Sequence, residues 1–195
     1  MVKPYEAKTY TLQGLDGISQ EQLEQHYKLY SGYVNNTNII NEKLSELLRN
    51  GQVGTPEYNE LKRRFGFEYS GMRLHEFYFG NMRANGGSLS EGSRLYKKLV
   101  EDFGSFANWE NDFKATGKMR GIGWAVLYQD PFNGRLQNFW VSDHENGHPA
   151  GFQPILVMDV WEHAFTVDYK PTEKPNYIDA FFKNIDWDAA ESRLK

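Results

Sequence analysis

Nothing restricts the fold of this chain more than the nine residues from Ile155 to His163. Ile155, Leu156, Val157 and Met158 run together behind Pro154, the pattern of a short strand buried on both faces. From that buried end the chain delivers Asp159, Glu162 and His163. Asp159 can cap a following helix, with His163 on its first turn. Alternatively, an Asp oxygen and a His nitrogen four residues apart can meet at one cation, and carboxylate with imidazole suits manganese or iron. The second explanation requires further histidines to arrive from elsewhere.

The supply is small: histidines stand only at positions 26, 75, 144, 148 and 163, and there is no cysteine. Thiolate catalysis, disulfides and sulfur-ligated metal are thereby excluded, and any metal is held by nitrogen and oxygen. A length of 195 residues is enough for one domain, or two tightly joined halves, with a real core. The net charge of -4 argues against a general nucleic-acid binder, and an anionic substrate would need local positive charge to draw it in. Residues Met1 to Lys8 carry no apolar leader, and nowhere do about 18 apolar residues run together. The expectation is a cytoplasmic protein with neither nucleic acid nor membrane as partner.

Residues 1–18 form an arm without helical period. Ser19 with Gln22 makes a capping box that opens a long helix ending near Gly51. Its inner stripe is Leu23, His26, Tyr30, Tyr33, Thr37, Ile40, Leu44 and Leu47, with polar rings where core leucines belong. Thr55 and Pro56 start a second helix, expected to run to about Asn85, Gly86 and Gly87, with the stripe Leu61, Phe65, Glu68, Met72, His75, Phe79 and Met82. The short connection makes the helices antiparallel neighbours. His26 lies 27 residues before Val53 and His75 lies 22 after it. The offset of five residues is about 7 Å of helix, so the two imidazoles come out nearly level on facing stripes. A lone histidine on either stripe is ordinary core; two at one level point to a shared ligand.

Ser90 and Ser105 are expected to cap shorter helices over 91–103 and 106–115. From Gly121 the period changes to two: Trp124, Val126 and Tyr128 alternate with Ala125, Leu127 and Gln129. A turn from Asp130 to Gly134 and a return over Leu136 to Val141 complete a hairpin. A polar loop, Ser142 to Pro149, leads to the buried strand. A helix from about Trp161, a linker from Lys170 to Pro175 and a closing helical segment through Tyr177, Phe181 and Trp187 follow. The predicted class is α+β: an antiparallel helical hairpin, residues 1–88 with the arm, then an α/β part, residues 89–195, with a small antiparallel sheet of about three strands. A metal site, if the histidines share one, would fall between the two.

With these residues in place, the chain resembles the iron/manganese superoxide dismutase family. Asp159, Trp161, Glu162, His163, Ala164 and Phe165 match the family's Asp-x-Trp-Glu-His-Ala-aromatic signature. Lys174, Pro175, Asn176 and Tyr177 are similar to its Arg-Pro-Asp-Tyr, and Asn184 to Trp187 to its close. Gly123 and Trp124 resemble its Gly-Trp-x-Trp strand, and Tyr33, Val34, Asn35 and Asn36 its first-helix motif. The resemblance runs from about residue 19 to residue 193. It implies that His26, His75, Asp159 and His163 hold one manganese or iron ion with a water or hydroxide as fifth ligand. The implied activity converts superoxide to dioxygen and hydrogen peroxide by alternating the metal between two oxidation states. Tyr33 takes the gateway tyrosine's role, and Trp124 and Trp161 wall the pocket. Glu162 is the counterpart of a carboxylate that bonds the partner subunit's equivalent of His163, which implies a homodimer. Lys28 and Lys174 are candidates for steering superoxide.

The departures concentrate around the ligands. The family has one more residue between the first ligand and the tyrosine motif, so this helix is expected to lack an irregular turn. Tyr30 and Thr166 stand where the family has a histidine and a tyrosine that bond across its dimer, which implies a re-made contact. The glutamine that holds the metal-bound solvent in iron-type members is replaced by Gly71. Its manganese-type counterpart falls, counting from Trp124, on His144. His144 is therefore the candidate to hold the bound solvent, with His148 expected to be an exposed loop residue. Altered residues of this kind leave a second possibility, a non-catalytic metal-binding or interaction module on the same scaffold.

Overall fold

The computed structural model describes residues 3–195, so the first two residues of the predicted arm lie outside the described residues. Two long helices come first, α1 over Gln20–Arg49 and α2 over Pro56–Phe79. They form the predicted antiparallel hairpin. Two shorter helices follow, α3 over Arg94–Phe103 and α4 over Phe106–Lys118. Strands β1 (Gly123–Gln129), β2 (Leu136–Ser142) and β3 (Gln153–Asp159) then build an antiparallel sheet in the order β2-β1-β3. Helices α5 (Lys174–Lys183) and α6 (Trp187–Ser192) close the chain. The class is the α+β arrangement expected.

Helix α1 starts where Ser19 Oγ accepts the backbone N–H of Gln22 at 3.0 Å, satisfying one of the orphan donors of a first turn. Only half of the predicted capping box forms. The Gln22 side chain turns instead into the core, donating to the His163 carbonyl at 2.7 Å and accepting from the Val167 N–H at 3.0 Å. The arm lies against α1 and is held by side chains where a neighbouring strand would use its backbone. Asn38 both accepts from the Tyr5 N–H and donates to the Tyr5 carbonyl, at 2.8 and 2.9 Å. Tyr30 accepts from the Lys8 N–H, and Tyr27 donates to the Lys8 carbonyl.

Three expected boundaries move, the end of α2 for a plainly tertiary reason. Helix α2 stops at Phe79 instead of near Gly86, because Asn81 donates to the Val157 carbonyl at 2.5 Å and Arg83 N–H to the Asn184 carbonyl at 2.8 Å. These contacts stitch the segment to β3 and to the end of α5. Helix α3 is capped by Ser93, not Ser90, and α4 runs on to Lys118 with Gly117 buried against Met158. No helix grows from Trp161. Asp159 Oδ1 accepts the Trp161 N–H at 2.8 Å, and a single 3-10 turn, Glu162–Ala164, follows. The closing segment is two helices rather than one.

Strand β1 is buried along its whole length, being the central strand and covered by helices. Its first pairs fix the site: Trp124 stands opposite Val141 on one side and Asp159 on the other. Past α2 the chain makes an unusually close approach, where a Cβ on Gly86 would lie 2.3 Å from the Ile185 carbonyl oxygen. Backbone cannot yield there as a side-chain tip could. Gly86→Ala should therefore cost about 1–3 kcal/mol, read as a lowered urea midpoint; an unchanged midpoint would show that the approach is slack.

Candidate metal centre

Four elements deliver the predicted ligands to one point. His26 comes from α1, His75 from α2, Asp159 from the last residue of β3 and His163 from the 3-10 turn. One donor atom from each lies within 4.8 Å of all the others. His26 and His75 come out level on their two helices as expected, their rings 5.0 Å apart, centre to centre. Asp159 Oδ2 is the focus: His26 Nε2 is 3.1 Å away, His163 Nε2 3.3 Å and His75 Nε2 3.6 Å. The two oxygens of Asp159 divide the roles that the sequence left as alternatives. Oδ1 caps the turn at Trp161, while Oδ2 faces the imidazoles.

The protonation pattern suits a cation. His75 Nδ1 lies 2.6 Å from the Gly71 carbonyl, so it carries the proton and Nε2 presents a lone pair. Burial first, against the pull of Asp159, holds His26 below its ordinary range, and burial, then the neighbouring His26 imidazole competing for a proton, holds His75 well below. Burial alone would raise the Asp159 carboxyl, but His163 and His26 outweigh it, and the group stays ionised. Buried nitrogens of His26, His75 and His163 have no hydrogen-bond partner among the described residues. Orphaned buried donors and acceptors are costly. Three imidazoles and a carboxylate, all nitrogen and oxygen donors, fit an iron or manganese ion.

Around the ligands the chain builds a tight polar frame. Tyr177 Oη donates to the Asp159 carbonyl at 2.7 Å and accepts from Tyr78 Oη at 3.1 Å. His144 is fully buried, unlike a loop residue in solvent. Its Nδ1 accepts from Trp124 Nε1–H at 3.0 Å, since an indole can only donate. The neutral ring must then carry its proton on Nε2, which donates to Tyr33 Oη at 2.7 Å. Burial pushes the His144 imidazole down to about 4, keeping it neutral. The ring stacks on Trp161 at 4.7 Å and meets the edge of Phe67 at 4.6 Å. Burial, and next the Asp159 charge, raise the Tyr33 phenol well above its ordinary value. A Cβ on Gly71 would come 2.8 Å from the Tyr33 ring, so the tyrosine occupies the space a side chain at 71 would need.

Other predicted residues have different surroundings. Tyr30 is buried, its ring 6.3 Å from that of His75, but its hydroxyl faces Glu76 Oε1 at 3.3 Å and the arm. Thr166 and Glu162 are exposed. Lys174 Nζ donates to the Met119 carbonyl at 2.6 Å, and burial lowers its ammonium. Lys28 lines an apolar cleft of about 340 Å³ with Tyr10, Tyr27 and Phe79. Phe67 and Arg64 did not stand out in the sequence. The Arg64 guanidinium lies 4.0 Å from the Phe67 ring and pairs with Glu68, its charge acting on both Tyr33 and His144. A Phe and an Arg on a helix face carry no signal until α2 is laid beside the loop.

The class defined by this fold and site is a metalloprotein with one nitrogen-and-oxygen centre between a helical hairpin and a small sheet. Residues 6–83 match the family model of the iron/manganese superoxide dismutases, alpha-hairpin domain, and residues 91–193 match the C-terminal domain of the same enzymes. The chain belongs to this family. It is 42% identical over 188 residues to "Superoxide dismutase [Fe]" of Aquifex aeolicus, covering 94% of this chain and 87% of that one. It is 37% identical over 179 residues to "Superoxide dismutase [Mn] 2" of Haloferax volcanii, covering 91% and 87%. To "Superoxide dismutase [Fe]" of Saccharolobus solfataricus it is 33% identical over 182 residues, covering 91% and 86%.

The buried neutral histidines make the metal-free protein sensitive to mild acid. The folded values of His26, His75 and His144 lie below the ordinary 6.5. Unfolding therefore takes up protons once the pH falls below that value, and stability falls with it. Asp159 adds nothing in this window because it is ionised in both states above its ordinary 3.8. The urea midpoint of metal-free protein should drop steadily from pH 6.5 towards about 4; a flat profile would show that the rings are not held neutral.

Proposed function

We propose that the protein is a superoxide dismutase that uses one iron or manganese ion per chain. The convergence of three imidazole Nε2 atoms on Asp159 Oδ2, those of His75 and His163 without any hydrogen-bond partner among the described residues, in a member of this family, carries the proposal. When bound, the ion supplies the one-electron exchange by which one superoxide is oxidised to dioxygen and another is reduced to hydrogen peroxide. His26, His75, His163 and Asp159 would hold it, through three imidazoles and one carboxylate, while Tyr177 and Gln22 fix the backbone at Asp159 and His163.

Reduction of superoxide to peroxide consumes two protons, and Tyr33 is the side chain built to handle one. It stays protonated because its phenol is raised, and it accepts from His144, so its own O–H is free to turn toward the pocket. His144 holds Tyr33 in that pose; with both of its ring nitrogens engaged, by Trp124 and by Tyr33, it bears on solvent at the ion through the Tyr33 hydroxyl rather than directly. Trp124, Trp161 and Phe67 wall the site against bulk water. Arg64 joins Lys28 and Lys174 as a positive group able to draw in an anion. The exposure of Glu162 beside the partly buried His163 supports a homodimer in which each Glu162 reaches the partner's ligand, the residues on either side of about 88–89 forming two halves around the metal. No described helix is long and apolar enough to cross a membrane, and the cytoplasm is the proposed location. A non-catalytic scaffold finds no support, since all four ligand positions are filled.

Protein from cells grown with manganese alone and with iron alone tests the proposal by dismutation rate and metal content on the same samples. Activity should follow about one ion per chain of one metal; full metal without activity in either sample would sink it. His163→Ala should lose metal and activity together, and retained metal would remove His163 from the ligand set. His144→Ala should keep the ion but lower the rate about 10–100-fold; wild-type rates with both metals would return His144 to a packing role.

A further inference from the structure

His144 is held at its ring by four side chains, yet it sits on irregular backbone between β2 and β3. Its Nε2 reaches Tyr33 at 2.7 Å. A displacement of the loop by about 1 Å would take that contact out of hydrogen-bond range, so something must hold the backbone as well. Bonds between Ser142 and Asn146 and from the Asp143 N–H to the Ile122 carbonyl pin the loop on either side, and the residue that holds the His144 carbonyl itself is His148. Its ring is exposed, but neither nitrogen is free: Nε2 lies 2.9 Å from the His144 carbonyl oxygen, and Nδ1 lies 2.8 Å from Tyr128 Oη. A carbonyl can only accept, so Nε2 carries a proton and donates. In the neutral ring Nδ1 then accepts from the tyrosine hydroxyl; in the charged ring both nitrogens donate and the hydroxyl turns to accept. The grip on the His144 carbonyl persists in either charge state.

Tyr128 is a firm base for it. The residue lies on the central strand, almost entirely buried, with Phe139 edge-on at 5.6 Å. Trp124 stands four residues earlier on the same strand, and residues at even spacing share a face. Trp124 grips the His144 ring at Nδ1, and Tyr128 grips the His144 backbone through His148. One strand thus sets both ends of the same residue.

We infer that Tyr128 and His148 act as a strut whose task is to position the His144 ring against Tyr33, making His148 a positioning residue for the reaction. The function assigned to the strut rests on the role proposed above for His144; its geometry does not. A hydrogen bond to an exposed ring adds little net stability, so position, not stability, is where its loss will show.

The test follows the His144 ring directly, in full-length metal-free protein labelled with nitrogen-15 on histidine. Wild-type protein should show the Nε2–H form of His144 with slow exchange of that proton. In His148→Ala the exchange should quicken about tenfold, the equivalent of one lost hydrogen bond, with the unfolding midpoint little changed. Tyr128→Phe should move the signal in the same direction. The double variant should do no more than His148→Ala, because both changes break one chain of contacts, and His148→Gln, which retains an N–H donor, should restore part of the protection. An unchanged His144 signal in both single variants overturns the strut, and if His148→Ala does not fold, Tyr128→Phe decides. The rate of the metal-loaded variants is read separately: a quickened exchange with a several-fold lower kcat upholds strut and role together. A quickened exchange at wild-type kcat upholds the strut and removes the role of His144 instead.

Discussion

A carboxylate with no exposure to solvent ends the most buried strand pair of this protein, and its charge must be answered inside the fold. Asp159 is answered by rings from both long helices and from the turn after its own strand. A buried charge left alone costs several kcal/mol, so hairpin, sheet and turn are obliged to meet at one place. The other polar contacts follow from that meeting. Gln22 ties the turn to α1, Tyr177 ties it to α5, and Asn81 ties the end of α2 to β3. Packing alone would let these elements slide over one another; the contacts to Asp159 fix their level.

The same economy explains the arm. A chain without helical period gains no intrachain backbone partners, and buried peptide groups need them. Side chains of α1 provide them at Tyr5 and Lys8. The Tyr30 hydroxyl is consequently committed to the arm and to Glu76 within one chain, and a contact from Thr166 of a second copy would have to be made some other way.

Legibility in the sequence followed the range of the interactions. Three helix starts were plain, because Ser19, Thr55 and Ser105 cap through bonds three residues long, whereas α3 takes Ser93 in place of the nearby Ser90. The level of His26 and His75 was plain too, since a short connection between regular helices leaves one way to count. The end of α2 was not, because Gly80 to Gly86 is shaped by β3 and α5, more than 70 residues downstream. The helix expected at Trp161 failed for a related reason: Asp159 gives one oxygen to a cap, but its other oxygen and His163 belong to the centre, which holds the chain to one turn. His144 was located by counting along a resemblance, whereas the parts that seat it, Phe67, Gly71 and His148, have meaning only once the loop lies against α2. His148 shows the limit well. Exposure, correctly expected, did not imply idleness.

The contest between Tyr33 and position 71 has a consequence for how such a site could change. A ring from α1 and a side chain from α2 claim one volume, so position 71 cannot take a side chain by a single replacement while Tyr33 keeps its place. Glutamine at 71 would first evict Tyr33, and loss of His144 alone would leave Tyr33 and Trp124 without their partner. Position 71, Tyr33 and His144 are therefore coupled by steric exclusion, and a side chain at one of them is open only with a change at another.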